Sequence, residues 1–358
     1  MNDHDERREL LDARKWEVLA ATVSGYIRSA LPVGSQSAGR SFGLPYSPAT
    51  IRNIMNELEA LGYLTHPHTS AGRIPTEKGF RYFVDHADFP DEEAASWESV
   101  SRDIEPLLAG APLSEFGQVV SEVIRRVGER SGYAGFVVET GNASELVVVA
   151  FEACPLSDRH ALLVVILETG HLLKRTFSYP EGIGWPEFRR IVARINRIGR
   201  GKTLSEVMEA LLREAEGISM SIESLFAELA RVGGSAEIRL FGASRFAKVP
   251  EFSNAQDLES IFEAFEQQVA LVGFFQKISS LTTPRRVFVS IGSENELPGL
   301  DSCAMVSIPL SRSGAWFGTI GVVGPVRMEY GQVIPLMIRL SERLNLWLAA
   351  PEGHDGEG

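Results

Sequence analysis

The stretch Pro32–Asp85, PVGSQSAGRSFGLPYSPATIRNIMNELEALGYLTHPHTSAGRIPTEKGFRYFVD, leaves a chain little choice of fold. It carries a helix with both ends marked, followed at once by a hairpin. Ser47 stands at an N-cap position and Pro48 at the first helical position, where a missing N–H costs nothing. Ile51, Met55, Leu58 and Leu61 recur on one face at helical spacing. Gly62 is placed to stop the helix in the left-handed conformation. The opposite face carries Ala49, Arg52, Asn53 and Asn56, with Thr50 beside it, and the acids Glu57 and Glu59 are held back to the second half. That polarity suits a helix whose N-terminal half meets base edges.

The flanking residues complete a winged helix-turn-helix order. Trp16, Leu19, Ala20, Val23 and Ile27 predict a first helix within Asp12–Leu31. Ser35–Phe42 predicts a short second helix, with Gly43-Leu44-Pro45 as its turn. Tyr63–His68 reads as a strand, Thr69, Ser70, Ala71 and Gly72 as a tight turn, and Arg73-Ile74 as the return strand. Thr76 caps a closing helix that runs to His86. An arginine beside a small hairpin tip can reach phosphate or a minor groove, as wings do.

Charge distribution agrees with that assignment. The whole chain carries −12, yet Ala13–Val84 holds eight Lys/Arg against four Asp/Glu. A basic head on an acidic body concentrates phosphate attraction in the head. The 358 residues predict more than one domain. The charged N-terminus, MNDHDERREL, has no apolar core of a secretory signal, and the apolar run Ala161–Leu167 is too short to span a bilayer. A cytoplasmic protein without membrane attachment is expected. Cys154 and Cys303 lie far apart with no CxxC partner, so no structural disulfide is expected.

Beyond an acidic, proline-containing linker at Asp88–Ser96, Val100–Arg130 reads as helical and broken at Pro112. Strands are expected at Tyr133–Glu139, Leu146–Ala153, Leu162–Glu168 and Leu172–Tyr179, the last two joined by a Thr169-Gly170 turn. Trp185–Ile198 and Leu204–Val232 then read as helices, and Gly233-Gly234 precedes a short strand at Ala236–Phe241. Asp257–Ser280 reads as one long helix. Strands return at Arg286–Ile291, Met305–Leu310 and Trp316–Val323, and Gln332–Ala349 closes the chain as a helix. The economical reading is α+β and multidomain: a sheet domain interrupted by a mostly helical module.

No motif argues for catalysis. Gly199-Arg200-Gly201-Lys202-Thr203 ends like a phosphate-binding loop, but Asn196 replaces the leading glycine and a helix precedes it. Gly318, Gly321 and Gly324 do not have dinucleotide spacing and read as strand glycines at close backbone approach. No GxSxG elbow occurs. His66 and His68 alternate on the first wing strand without a third ligand nearby. Neither metal nor cofactor is expected.

Several of these segments resemble the heat-inducible transcription repressor family, HrcA. The resemblance rests on PVGS at Pro32–Ser35, SPATIRN at Ser47–Asn53, LEALGYL at Leu58–Leu64 and PHTSAGRIPT at Pro67–Thr76. It resumes with IGSEN at Ile291–Asn295 and GTIGVVGPVRMEY at Gly318–Tyr330. Ile54 stands where that family typically has Glu. The resemblance implies a GAF-like sheet domain interrupted by a dimerising insertion, and repression of chaperone operons by a dimer on inverted-repeat operator DNA, dependent on a GroEL-type chaperonin. The expected domains are then a winged helix at 1–90, a GAF-like domain at 91–182 and 246–350, and a dimerisation module at 183–245.

Helix geometry assigns base readout to Thr50, Arg52, Asn53 and Asn56, and phosphate contacts to Ser35, Arg73 and Lys78; Ser47, which caps the same face, is assigned to the DNA-binding set with them. Trp185, Phe188, Ile191, Ile195, Met208, Leu211, Leu212 and Phe226 give the inserted block more apolar surface than a small satellite needs, and are assigned to dimerisation. The alternative is a regulator sensing a small molecule through a pocket in the GAF-like domain.

Overall fold

A computed structural model describes residues 11–67, 72–89, 95–139, 147–158, 160–170, 172–178, 184–204, 206–207, 210, 237–279, 287–312 and 315–349. The chain divides into two compact units. One comprises Met1–Ala94, Val289–Met305 and Gly324–Pro335; the other comprises Ala95–Phe288, Val306–Val323 and Leu336–Gly358. The described residues combine helices with antiparallel sheets, so the fold is α+β.

In the first unit, helices α1 (Ala13–Ser29), α2 (Ser35–Phe42) and α3 (Pro48–Ala60) precede a hairpin of β1 (Leu64–Thr65) and β2 (Ile74–Pro75), then α4 (Glu77–His86). The order is the one expected from sequence. Capping explains the boundaries. Asp12 Oδ1 accepts from Lys15 N, Ser47 Oγ from Thr50 N, and Thr76 Oγ1 from Gly79 N, each satisfying an N–H the helix leaves open. Ile51, Met55 and Leu58 are buried, as is Leu19 of α1. Leu61 differs from expectation: it sits at the C-cap and is 38% exposed, because the helical face ends one turn earlier. Ile54 joins the core instead, 7% exposed. The core face is therefore wider than the single stripe expected. Gly62 has φ +77°, the left-handed stop.

In the second unit α5 (Ala95–Leu108) and α6 (Phe116–Ser131) lead into β3 (Ala134–Glu139). Three strands follow in sequence: β4 (Val148–Pro155), β5 (His160–Leu167) and β6 (Leu172–Ser178). After them come α7 (Trp185–Gly199), β7 (Glu237–Phe241), α8 (Ala255–Glu266) and α9 (Gln268–Ser279), and then β8 (Phe288–Ile291), β9 (Cys303–Arg312), β10 (Ala315–Pro325) and α10 (Tyr330–Ala349), whose residues are shared between the two units, Val289–Met305 and Gly324–Pro335 belonging to the first. Two sheets result. One has the order β7-β3-β10-β9-β8; the other is β4-β5-β6. Within the first, β3 pairs antiparallel with both β10 (Phe136 opposite Gly321) and β7 (Phe136 opposite Leu240).

β3 is buried along its whole length. Phe136 lays its ring 6.1 Å from Phe265 of α8 and 5.2 Å from Phe275 of α9. The helix expected over Asp257–Ser280 is broken at Gln267, and the break brings one ring from each half onto Phe136. Gly321 is required beside it: a Cβ there would lie 2.4 Å from the Phe136 ring. This is the close approach expected of the strand glycines.

Candidate nucleic-acid interface

The face of α3 turned from the core presents Ser47, Ala49, Arg52, Asn53 and Asn56 exposed, with Thr50 half-buried beside them. Ser47 Oγ and Thr50 Oγ1 lie 2.9 Å apart and share a hydrogen bond, so both hydroxyls also serve the helix start. Arg52 and Asn53 make no side-chain bond among the described residues. The face thus offers a guanidinium and a free amide, with no carboxylate in the first two turns.

The three residues expected to contact phosphate are placed differently. Ser35 is the first residue of α2 and 8% exposed. Lys78 Nζ donates to Leu61 O at 2.9 Å, closing the end of α3, and lies 4.5 Å above the Tyr63 ring. Arg73 is engaged on both sides: Nη2 donates to Asn56 Oδ1 at 2.8 Å, and Nε pairs with Glu59 Oε2 at 2.8 Å. The other Glu59 oxygen contacts Nδ1 of His66. The hairpin is thereby tied to the exposed face of α3. The turn residues His68–Ala71 lie outside the described residues, and so does the expected His66/His68 pair as a pair.

The motifs PVGS and SAGR, 35 or more residues apart in the sequence, meet here. Val33 N donates to Arg73 O at 2.8 Å and Arg73 N to Val33 O at 2.9 Å. A Cβ at Gly72 would lie 2.6 Å from the Val33 carbonyl, so only glycine admits this bridge.

Sequence reasoning missed a second set of head residues. IGSEN and GPVRMEY belong to the same compact unit as α1–α4. Glu77 Oε2 accepts from Ser293 Oγ at 2.6 Å and from Ser293 N at 3.3 Å. Arg81 donates to Glu294 Oε1 and to Val289 O, each at 2.9 Å, and to Asp85 Oδ1 at 3.1 Å. Arg327 donates to Ile27 O at 3.3 Å, and Tyr330, fully buried, lies 6.2 Å from Phe80. The motifs' shared presence was the available signal; no local pattern gave their place. A cavity of about 410 Å³ opens in this unit, lined by Trp16, Phe42, Phe83 and Tyr330 among others.

The residues assigned to dimerisation split in two. Met208, Leu211, Leu212 and Phe226 lie outside the described residues. Trp185, Phe188, Ile191 and Ile195 are on α7, whose apolar face packs onto β4–β5: Phe188 and Ile195 share a core with Phe151, Leu163 and Val165. This face is used inside the chain, which leaves Phe188 at 3% and Ile195 at 1% exposure. The boundary expected at 182/183 also separates α7 from the strands it packs on. In the structure β3 ends at Glu139 and resumes its sheet with β7 at Glu237, so residues 140–236 form one interruption. At its neck Arg239 pairs with the buried carboxylate of Glu139. The Gly199–Thr203 loop is backbone-paired to β4, with Val148 N donating to Lys202 O at 2.8 Å and Gly201 N to Val148 O at 3.0 Å, which leaves no phosphate cradle there.

Among the described residues no group of three or more His, Cys, Asp or Glu side chains could hold a metal. Burial pushes the Cys303 thiol up to about 12, where it is inert; Cys154 is exposed and free. No helix among the described residues is long and apolar enough to cross a membrane.

A family model described as the HrcA protein C-terminal domain matches residues 117–334. The heat-inducible transcription repressor HrcA of Shouchella clausii is 32% identical over 343 residues, covering 94% of this chain and 97% of its own. That of Moorella thermoacetica is 31% identical over 347 residues, with the same coverage. A crystal structure of a hypothetical protein at 2.2 Å shares the fold, with a TM-score of 0.59 and 22% identity over 95% of this chain and 99% of the other. With a family model spanning more than half of it, and relatives aligned along nearly all of it, this chain belongs to the HrcA family of heat-inducible transcription repressors.

Proposed function

We propose that the chain represses stress-response transcription in the cytoplasm by binding an inverted-repeat DNA operator as a homodimer. The head acts as a winged helix, with α3 in the major groove and the hairpin against the backbone. The observation that carries the reading is the α3 face itself: capped by Ser47, acid-free through its first half, and exposing Arg52 and Asn53 without side-chain partners among the described residues. Relatives aligned across the head carry the name repressor. A two-fold dimer doubles the small surface one head can bury and matches an inverted repeat. Residues 140–236 are the proposed pairing module within a GAF-like domain. Because the α7 face is buried on β4–β5, its pairing surface comes from other residues.

Chaperonin dependence has a physical route in the same architecture. β3 cannot complete its pairing until β7 and β10 have been made, and non-local pairing is slow and exposes apolar strands meanwhile. The free chaperonin level then sets the fraction of DNA-competent dimer. The test is a gel shift on chaperone-operon fragments after dilution from denaturant, with chaperonin and a competing unfolded client titrated in. Occupancy rises with chaperonin and falls with client. Fast, complete refolding indifferent to both would reject the chaperonin link. Absence of a specific shift from fully folded protein would reject operator binding.

A further inference from the structure

Arg73 is held through its backbone by Val33, and through its guanidinium by Asn56 and Glu59, with 19% of the side chain exposed. A cation so engaged is poorly placed to serve as a free phosphate contact. Its effect on Asn56 is more specific. Arginine carries only donors, so the Asn56 atom facing Nη2 at 2.8 Å is the carbonyl Oδ1, and the amide N–H pair points the other way. Asn56 is exposed on the α3 face beside Arg52 and Asn53. An asparagine free to turn reads adenine with both ends of its amide, donating to N7 and accepting from N6. With its oxygen committed to Arg73, Asn56 offers donors only. Donors suit an edge made of acceptors: guanine N7 and O6, or thymine O4.

We infer that Arg73 is a positioning residue that sets which base Asn56 reads, turning its amide toward guanine or thymine and away from adenine. The inference rests on the DNA-binding reading and refines it. Glu59 and His66 support the arrangement from behind by fixing the guanidinium.

The experiment is selection from a random DNA library with the full chain, comparing wild type, Asn56→Ala, Arg73→Ala, Asn56→Asp and Glu59→Gln, each checked for an unchanged circular-dichroism melt. Wild type should prefer guanine or thymine at one half-site position by about five- to tenfold. Asn56→Ala should flatten that position alone, and Arg73→Ala should move it toward adenine, because the freed oxygen can accept from N6. Asn56→Asp keeps the Arg73 partner but presents an acceptor, and should move the position toward cytosine, whose N4 donates. Glu59→Gln, which weakens the hold on the guanidinium but keeps Arg73 and Asn56, should move the position in the same direction as Arg73→Ala and by less. If Arg73→Ala misfolds, Asn56→Asp decides alone. Uniform weakening by Arg73→Ala, with a shallower salt dependence and intact base preferences, would overturn the inference and make Arg73 a phosphate contact. An operator whose preferences survive the substitutions at 56 would overturn it too. Wild type enriching no sequence would overturn the DNA-binding reading, and the inference with it.

Discussion

The strands β4, β5 and β6 are consecutive, each hydrogen-bonded to the next, and α7 packs onto β4 and β5 within the same hundred residues. The five-stranded sheet follows the opposite plan. Its strand β3 lies between β7 and β10, so residues 134–139 wait for partners at 237–241 and 315–325. Loop closure is costly before such contacts form, whereas a meander closes as it is made. One chain thus contains an interruption that can order early and a surrounding sheet that must order late. The contrast gives physical content to the proposed chaperonin dependence, since the late sheet is the part with apolar strands to protect.

The sharpest way to break this contrast is to empty one core at a time. Phe136→Ala removes a fully buried ring from between α8, α9 and Gly321, and should cost about 3–5 kcal/mol. Phe151→Ala, equally buried, empties the core of β4, β5 and α7 instead. Hydrogen exchange read by segment should show Phe136→Ala lowering protection in β3, β7 and β10, and Phe151→Ala lowering it first in β4–β6 and α7. If both substitutions lower protection everywhere equally, the two sheets are one cooperative unit and the contrast fails.

The neck between them gives the next test. Glu139 is buried at the last residue of β3, and Arg239, two residues into β7, neutralises it. Arg239→Ala removes this ion pair from the buried carboxylate, at a cost of about 3 kcal/mol in urea unfolding. Glu139→Gln with Arg239→Ala should recover part of the loss. No recovery would mean the pair does not join the edges of the interruption.

How much of this was legible in the sequence follows the same division. Helix ends governed by adjacent residues were readable: Ser47-Pro48, Gly62 and Thr76 act within one turn of where they stand. Strand positions were readable as apolar runs, and β5 also alternates residue by residue. Sheet membership was not, because β4 and β3 have similar apolar strings and only their partners differ. The same limit sent the α7 stripe to a dimer interface, since an amphipathic helix does not say which surface it will cover. Among the site residues, the exposure of Arg52, Asn53 and Asn56 followed from helical period. The engagement of Arg73 by Glu59 and Asn56 did not, because it depends on where the hairpin folds back.

Within the head unit the contrast recurs at smaller energy. The α3 face is held by residues of the head itself, whereas α4 is held by Ser293 and Glu294, more than 200 residues away in the chain. Arg81→Ala removes bonds to Glu294, Val289 O and Asp85. It should cost about 1–2 kcal/mol, with exchange increased in α4 and at 289–295 and little changed in α3. An effect confined to α3 would mean the distant segments do not support the head.

The smallest effect tests the late-ordering unit at its surface. Arg343 donates to both oxygens of Glu105, at 2.6 and 2.7 Å, joining α10 to α5, and this bond holds the Glu105 carboxyl below its usual range. A carboxylate with a lowered folded-state pKa stabilises the fold above its unfolded value, near 4.5, and that contribution is lost as pH falls through the lowered value. The pair is partly exposed, with Glu105 at 42%, so solvent screening keeps it below about 1 kcal/mol. Glu105→Gln should therefore lower the melting temperature slightly at pH 7. Its deficit should shrink as pH drops below about 4.5 and the wild-type carboxylate protonates. A deficit that stays constant from pH 7 to pH 3 would mean the pair acts by packing rather than charge. Exchange protection would sharpen the comparison further, because a bridge between α5 and α10 adds a contact of long sequence separation to the unit that already depends on them, and none to the consecutive strands β4–β6.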